Sequence, residues 1–404
     1  MFNRGRWPYY DEDEIDAAAD CLRRADVNAL VGSEVDHFEK EYAHWTGAHH
    51  AIAVANGTVA LDLALWGLGL PKGSEVIVTP RSYVASASCV VNAGLIPVFA
   101  DVDPDSGNLT AQTIEASLSD QTSAILLVHL NGCPCDMDPI LALAKRQGLR
   151  VIEDCAQAHG ARYRGRSVGT LGDVGAWSFC QDKIMSTGGE GGMVTCNDPA
   201  LAERMWMLKD HGKNRAAMEG NHPPGFRWVV ETFGTNWRLT GPQAAIGRQQ
   251  LRKLEAWIAR RQIIVHRLCE ALEEFSCVQT STETCAGCGT VCDAPNKCRH
   301  AYYRLQTWLV PEKLKEGWTQ DRLVDALNVV LKGDALHGPC PEIYRESAFK
   351  KAGFQPREGR LSIAASLEKT SLLFKIYPTM TDEQLDAYAH AIAAVFRKAS
   401  EDDA

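Results

Sequence analysis

No stretch of this 404-residue chain is long and apolar enough to read as a membrane span. The longest uncharged run, residues 84–100, is broken by Ser86, Ser88, Asn92, Gly94 and Pro97, whereas a span takes about 20 mostly apolar residues. It reads instead as a helix followed by a buried strand. The first residues lack the apolar core of a signal peptide and run straight into Asp11-Glu12-Asp13-Glu14, so a cytoplasmic location and no membrane partner are expected. Positive charge is also short: 42 Lys and Arg against 51 Asp and Glu leave a net charge of −9. That balance argues against a protein built to neutralise nucleic-acid phosphates. Repeats and low-complexity segments are absent, and 45% hydrophobic with 23% charged residues sets disordered and fibrous classes aside. A chain this long can fold without disulfide staples. Its 14 cysteines, scattered apart from one cluster, are most simply free thiols.

What is present is an alternation of short apolar runs and helical patterns. Buried strands are expected at residues 50–55, 75–79, 96–100, 124–130 and 150–153, with helices at 58–68, 83–91, 110–118 and 139–146 between them. Strand-like 175–179 and 192–196 extend the set. Continuous apolar strands alternating with helices predict an α/β unit around a mainly parallel sheet covered on both faces. A helical pattern from 241 to about 275 then leads into a smaller α+β unit, with a strand at 301–310 and helices at 319–330 and 383–396. The expected division is 1–250 for the large unit, including two N-terminal helices, and 251–404 for the small one.

Three local patterns carry chemistry. Ala55-Asn56-Gly57-Thr58 follows a strand and opens a helix, where free N–H groups and the Thr58 hydroxyl can hold an anion; it is equally a plain helix cap. Glu153-Asp154 stands at the C-terminal end of a buried strand, where open α/β sheets place ligands. A carboxylate buried there needs a cation or a donor, unless it simply caps a helix. Gly175-Ala176-Trp177-Ser178-Phe179-Cys180-Gln181-Asp182-Lys183 ends a strand on a lysine, followed by a glycine-rich turn. In a dry site such a lysine can form a Schiff base with a carbonyl; on a surface turn it is only a lysine. Together, an anion cradle, an acidic strand end and a lysine are the parts that pyridoxal 5'-phosphate requires.

With those blocks in view the chain resembles the DegT/StrS-type sugar aminotransferases, a branch of the fold type I pyridoxal phosphate enzymes. The likeness runs through Phe38-Glu39-Lys40-Glu41-Tyr42, Gly73-Ser74-Glu75-Val76-Ile77-Val78, Pro97-Val98-Phe99-Ala100-Asp101-Val102, His211-Gly212, Gly234-Thr235-Asn236-Trp237-Arg238-Leu239 and Gln243-Ala244-Ala245-Ile246-Gly247. The resemblance implies a seven-stranded-type sheet and assigns roles. Lys183 matches the lysine that bonds the cofactor and shuttles the proton, and Asp154 the carboxylate that keeps the pyridine nitrogen protonated. Gln157 matches the contact to the 3-hydroxyl, Tyr83 the ring stacked on the cofactor, and Gly57, Thr58 and Ser178 the phosphate cradle. Asn236 matches a residue that reaches the phosphate across a subunit interface, implying a homodimer with shared sites, and Arg238 is placed near anionic groups of the substrate. The implied reaction passes an amine from L-glutamate or glutamine to a keto-sugar, nucleotide-linked in the first instance.

Several features depart from the family pattern. Lys183 stands where dehydratases of the family carry histidine, which disfavours that activity. The glycine turn after Lys183 has one residue more than the common form, so a different path is expected there. Leu336-His337-Gly338-Pro339-Cys340-Pro341 replaces a His-Tyr-x-Pro-x-His-type segment, which keeps a cyclitol or an unlinked sugar open as acceptor. Cys285, Cys288, Cys292 and Cys298 are spaced closely enough to hold zinc, but the spacing matches no common zinc knuckle. A metal-free cysteine-rich insertion near 285–298 is the expectation.

Overall fold

The computed structural model describes residues 7–219, 225–280 and 298–401. Helices α1 (Glu12–Arg23) and α2 (Glu34–Thr46) precede β1 (His50–Val54), after which strands and helices alternate. In chain order come α3 (Gly57–Leu68), β2 (Glu75–Val78), α4 (Ala85–Asn92), β3 (Ile96–Phe99), β4 (Thr122–Val128), α5 (Met137–Gln147), β5 (Arg150–Asp154), β6 (Val174–Ser178), β7 (Gly192–Cys196) and α6 (Pro199–Lys209). These seven strands form one sheet in the order β1-β7-β6-β5-β4-β2-β3. The pairs β2–β3, β2–β4, β4–β5 and β5–β6 are parallel, and only β7 runs against its neighbours. The expected mostly parallel α/β architecture is therefore what the chain adopts. Alternate residues of each strand point to opposite faces. Leu126 and Ile152 pack with Leu61 and Val90 of α3 and α4 on one side, while Ile125, Leu127 and Val151 pack with Ile140 and Leu143 of α5 on the other.

A long helix, α7 (Gly241–Leu272), leads to a second, antiparallel sheet. Its elements are β8 (Val278–Thr280), β9 (Arg304–Leu309), α8 (Gln320–Leu331), β10 (Ala335–Leu336), β11 (Ser371–Lys375) and α9 (Asp382–Ala399), with strand order β8-β9-β11-β10. The last two turns of α7 and the apolar face of α9 share its core through Leu268, Leu272, Tyr388, Ile392 and Phe396. Strand β11 was not foreseen, because it follows a helix, Ser362–Thr370, with no glycine or proline between them. Strand β9 begins later than its apolar run because residues 301–303 are fastened to the large sheet. Ala301 and Tyr303 donate their N–H groups to Gly132 and Asn131, each at 2.9 Å, and Tyr302 takes a left-handed φ of 48°. Among the described residues no helix is long and apolar enough to cross a membrane.

A buried cation fastens the long helix to the second sheet. Arg261 on α7 is fully buried, and its Nη1 donates to the carbonyls of Tyr302 at 3.1 Å and Ile376 at 2.9 Å. Trp7 covers the guanidinium, whose Cζ lies 5.5 Å from the ring centroid. Carbonyls in a dry joint lose the full cost of desolvation when their donor goes. Arg261→Met keeps most of the volume but no donors, and chemical denaturation is expected to show a loss of about 2–4 kcal/mol.

Candidate active site

Strand β5 ends in two adjacent carboxylates, and the pleat sends them to opposite faces. Glu153 is completely buried and saturated. It accepts from His129 Nε2 at 3.0 Å and from the N–H groups of Gly169, Leu171 and Gly172 at 2.7–2.8 Å. Burial would raise its pKa, but His129 and these amides outweigh burial and hold it below the ordinary range. His129 Nδ1 accepts the Cys135 N–H at 3.0 Å, so its proton sits on Nε2. Asp154, equally buried, has far fewer partners. Ser86 Oγ donates to it at 2.7 Å and the Ala156 N–H at 3.0 Å. Burial therefore wins, and its pKa is pushed up despite Ser86, Ala156 and the charge of Lys183. Glu153 is thus a structural brace, while Asp154 is a buried carboxylate with acceptor capacity to spare.

Beside it lies the turn into α3. Asn56 caps the helix by accepting the Val59 N–H at 2.9 Å, which leaves the N–H groups of Gly57 and Thr58 as the uncommitted donors of the first turn. Gly57 faces the end of β6 so closely that a Cβ there would come within 2.5 Å of Ser178 Cβ. Only glycine permits this approach, and it brings the Ser178 hydroxyl to the same turn. Ser178 is itself fixed from behind. His159 Nε2 donates to its carbonyl at 2.8 Å, and Tyr42 OH donates to His159 Nδ1 at 3.0 Å. That pattern fixes a neutral imidazole, and burial pulls its pKa down to about 4.

Lys183 follows in the loop after β6. Its side chain is 14% exposed, with Nζ 3.7 Å from Asp182 Oδ1 and 4.9 Å from the Tyr303 ring centroid. Burial depresses the pKa of this amine, but Tyr303 and Asp182 outweigh burial and leave it above the usual lysine value. The backbone of the loop is strapped down by the N-terminal segment. Trp7 Nε1 donates to the Lys183 carbonyl at 2.9 Å, and Tyr10 OH donates to Ser186 Oγ at 3.1 Å. Gln250 of α7 accepts the Ser186 N–H at 3.3 Å and donates to the Tyr9 carbonyl at 3.2 Å.

The remaining sequence candidates take different positions. Gln157 Oε1 accepts the Asn131 N–H at 2.8 Å beside the end of β4. Tyr83 is 70% exposed, just ahead of α4 and three residues from Ser86. Asn236 and Arg238 lie on a segment that meets the end of β1, where the Ala55 N–H donates to the Trp237 carbonyl at 2.9 Å. Arg238 Nη1 donates to Asp210 Oδ1 at 2.8 Å, a buried carboxylate that also takes Lys213 at 3.0 Å. Cys285, Cys288 and Cys292 lie outside the described residues; Cys298 Sγ accepts the Arg164 N–H at 3.3 Å. Sequence reasoning missed Ser86, His159, Asp182 and Tyr303. Ser86 stood three residues beyond Tyr83 and His159 two residues beyond Gln157, but nothing local marked Tyr303, 120 positions from Lys183.

Comparisons with known proteins say what the whole chain is similar to. The DegT/DnrJ/EryC1/StrS aminotransferase family matches residues 8–393. The chain is 43% identical over 258 residues to the GDP-perosamine synthase of Caulobacter vibrioides, spanning 64% of this chain and 67% of that one. It is 33% identical over 394 residues to the spore coat polysaccharide biosynthesis protein SpsC of Bacillus subtilis, spanning 97% and 96%. The crystal structure of an aminotransferase from Psychrobacter cryohalolentis superposes with a TM-score of 0.90 at 44% identity, covering 98% and 99% of the two chains.

The cofactor is pyridoxal 5'-phosphate, and the residues present fit it. The Gly57–Ser178 approach leaves an anion cradle that a side chain would fill, and Asp154 offers acceptor capacity to a protonated ring nitrogen. Lys183 supplies an amine within the electrostatic reach of Asp154. Gly57→Ala is expected to weaken cofactor retention about tenfold or more, in line with the ~1–3 kcal/mol typical of overpacking; equilibrium dialysis measures it. His159 gives a pH signature. It binds a proton in the unfolded chain below about 6.5 but in the folded chain only below about 4, so its contribution is complete above 6.5 and lost as pH falls towards 4. Denaturation of wild type against His159→Asn is expected to show an extra acid loss of ~3 kcal/mol in the wild type.

Proposed function

The chain belongs to the DegT/DnrJ/EryC1/StrS aminotransferase family, and on that premise we propose that it moves an amino group from L-glutamate or L-glutamine to a nucleotide-linked keto-sugar. The observation that carries this reading is a half-buried Lys183 in the loop after β6 and an under-partnered buried Asp154 at the end of β5, next to a glycine-made anion cradle. Sugar chemistry is supported by relatives named for perosamine and for a spore-coat polysaccharide. Surface-polysaccharide or amino-sugar product synthesis is the matching setting.

When bound, the cofactor supplies an aldehyde that captures amines and a ring that withdraws electrons. Asp154 holds the proton at the ring nitrogen, because a buried carboxylate with two donors gains most from a cationic N–H. The Gly57 and Thr58 N–H groups, with the Thr58 and Ser178 hydroxyls, bind the phosphate. Gln157 would hold the 3-hydroxyl and Tyr83 would bind the ring. Lys183 Nζ takes the proton from the substrate carbon and returns it on the other side of the transfer. Arg238, anchored on Asp210, offers its other guanidinium donors to an anionic group of the substrate.

A homodimer completes the reading. Trp228 is 90% exposed and Phe233 98%, with Phe226 and Val230 exposed between and beside them. A run of large apolar side chains facing water marks an interaction surface, and it leads directly to Asn236, the residue proposed to reach the partner's phosphate site.

Three outcomes are expected. The visible band of the holoenzyme converts to the pyridoxamine form on adding L-glutamate; a band that ignores glutamate points to another donor or to a non-transaminating reaction. Lys183→Ala retains the cofactor weakly and loses amine transfer, and turnover at the wild-type rate in that variant would overturn the assignment. Trp228→Asp with Phe233→Asp shifts the mass in analytical ultracentrifugation from two chains to one.

A further inference from the structure

The Lys183 amine lies against Asp182 and Tyr303. Asp182 Oδ1 is 3.7 Å from Nζ, within ion-pair distance, and the Tyr303 ring lies below the amine at 4.9 Å. A ring face attracts an ammonium electrostatically, more so when water is excluded. The two partners also hold each other: Tyr303 OH donates to Asp182 Oδ2 in a short hydrogen bond and accepts from Arg304 Nη2 at 3.0 Å. Tyr303 is 5% exposed. Its backbone is fixed on both sides, by its N–H on the Asn131 carbonyl at 2.9 Å and by Arg261 on the preceding carbonyl at 3.1 Å.

We infer that Asp182 and Tyr303 form a built resting place for the Lys183 ammonium whenever that amine is not joined to the cofactor. The inference rests on the reading of Lys183 as the cofactor lysine and adds two positioning residues to it. Asp154 and Asp182 then flank the lysine, one at the strand end and one in its own loop, and the side chain moves between them. The resting place holds the amine protonated. Because Tyr303 immediately precedes β9, the position of the free lysine is tied to the second sheet, through Arg261 and Trp7.

Every charged or titratable group facing the amine bears on this. Asp182 and Tyr303 favour the ammonium, and Asp154 does so from β5. Arg304, 3.4 Å from Asp182 Oδ2 and stacked at 4.6 Å on Tyr303, opposes it. His159 is neutral, its pKa lowered by burial and, to a smaller extent, by Lys183 itself.

The test reads the lysine rather than turnover. The full-length enzyme is stripped of cofactor with hydroxylamine and labelled with trace acetic anhydride between pH 7 and 11, and the Lys183 peptide is quantified by mass spectrometry. The exposed Lys351 is the internal reference. Asp182→Asn is expected to label Lys183 about tenfold faster than wild type at a fixed pH below the midpoint, as for a fall of one pKa unit. Asp182→Glu keeps the charge and is expected to stay within about threefold of wild type. Tyr303→Leu removes the ring and the hydroxyl that holds Asp182, and gives a second route to the same rise. A merely structural role would move Lys351 and the circular dichroism together with Lys183. Equal labelling of Lys183 in wild type, Asp182→Asn and Tyr303→Leu, with the fold intact, overturns the resting place. Enzyme converted by L-glutamate, where the cofactor carries the amine, is expected to give the same ranking. Failure of that conversion in wild type would count against the donor, leaving the stripped enzyme to decide the resting place.

Discussion

A buried carboxylate must find partners, and the neighbouring Glu153 and Asp154 meet that requirement in opposite ways. Glu153 takes four donors, three of them backbone amides of the 169–172 loop, and so fixes the path by which the chain leaves β5 and enters β6. Asp154 takes two. The saturated residue makes the scaffold rigid, and the unsaturated one retains an acid-weakened, proton-seeking oxygen pair in a dry place. Because side chains alternate along a strand, one strand end supplies both without conflict.

Everything else that surrounds Asp154 arrives from a distance and is held from behind. Ser178 is positioned through His159 and Tyr42, and the lysine loop through Trp7, Tyr10 and Gln250. The tyrosine under the lysine is set by the Arg261 joint. These supports come from α2, α7, the N-terminal strap and the second sheet, so the reacting groups sit where all parts of the fold converge. This arrangement follows the general demand of a reactive site, in which groups are held by packing and hydrogen bonds rather than by their own loops.

Much of the site was legible in the sequence because its cues are local. Asn56-Gly57 signals a turn at a helix start, Glu153-Asp154 at the end of an apolar strand signals a buried acid, and Lys183 follows Ser178 by five residues. The strands 50–54, 75–78 and 150–154 fell within or beside their expected ranges for the same reason, as continuous apolar runs closed by small or polar residues. What could not be read was contact across sequence. Trp7 and Lys183 are 176 residues apart, and Asp182 and Tyr303 are 121 apart. Strand β11 hides behind a helix with no breaker, and the late start of β9 depends on a left-handed Tyr302 that no local pattern announces. Arg238, which the resemblance sets near anionic groups of the substrate, pairs in the fold with the buried Asp210, a contact that no local pattern announces.

The central claim is that Lys183, between Asp154 and Asp182, is the amine to which the cofactor is joined. Sodium borohydride fixes the cofactor to whichever amine it is bonded to, and peptide mass mapping of the reduced holoenzyme then locates it. The added mass is expected on the peptide containing Lys183 and on no other. Its appearance on a different lysine, or a reduced enzyme with no fixed cofactor, would contradict the claim.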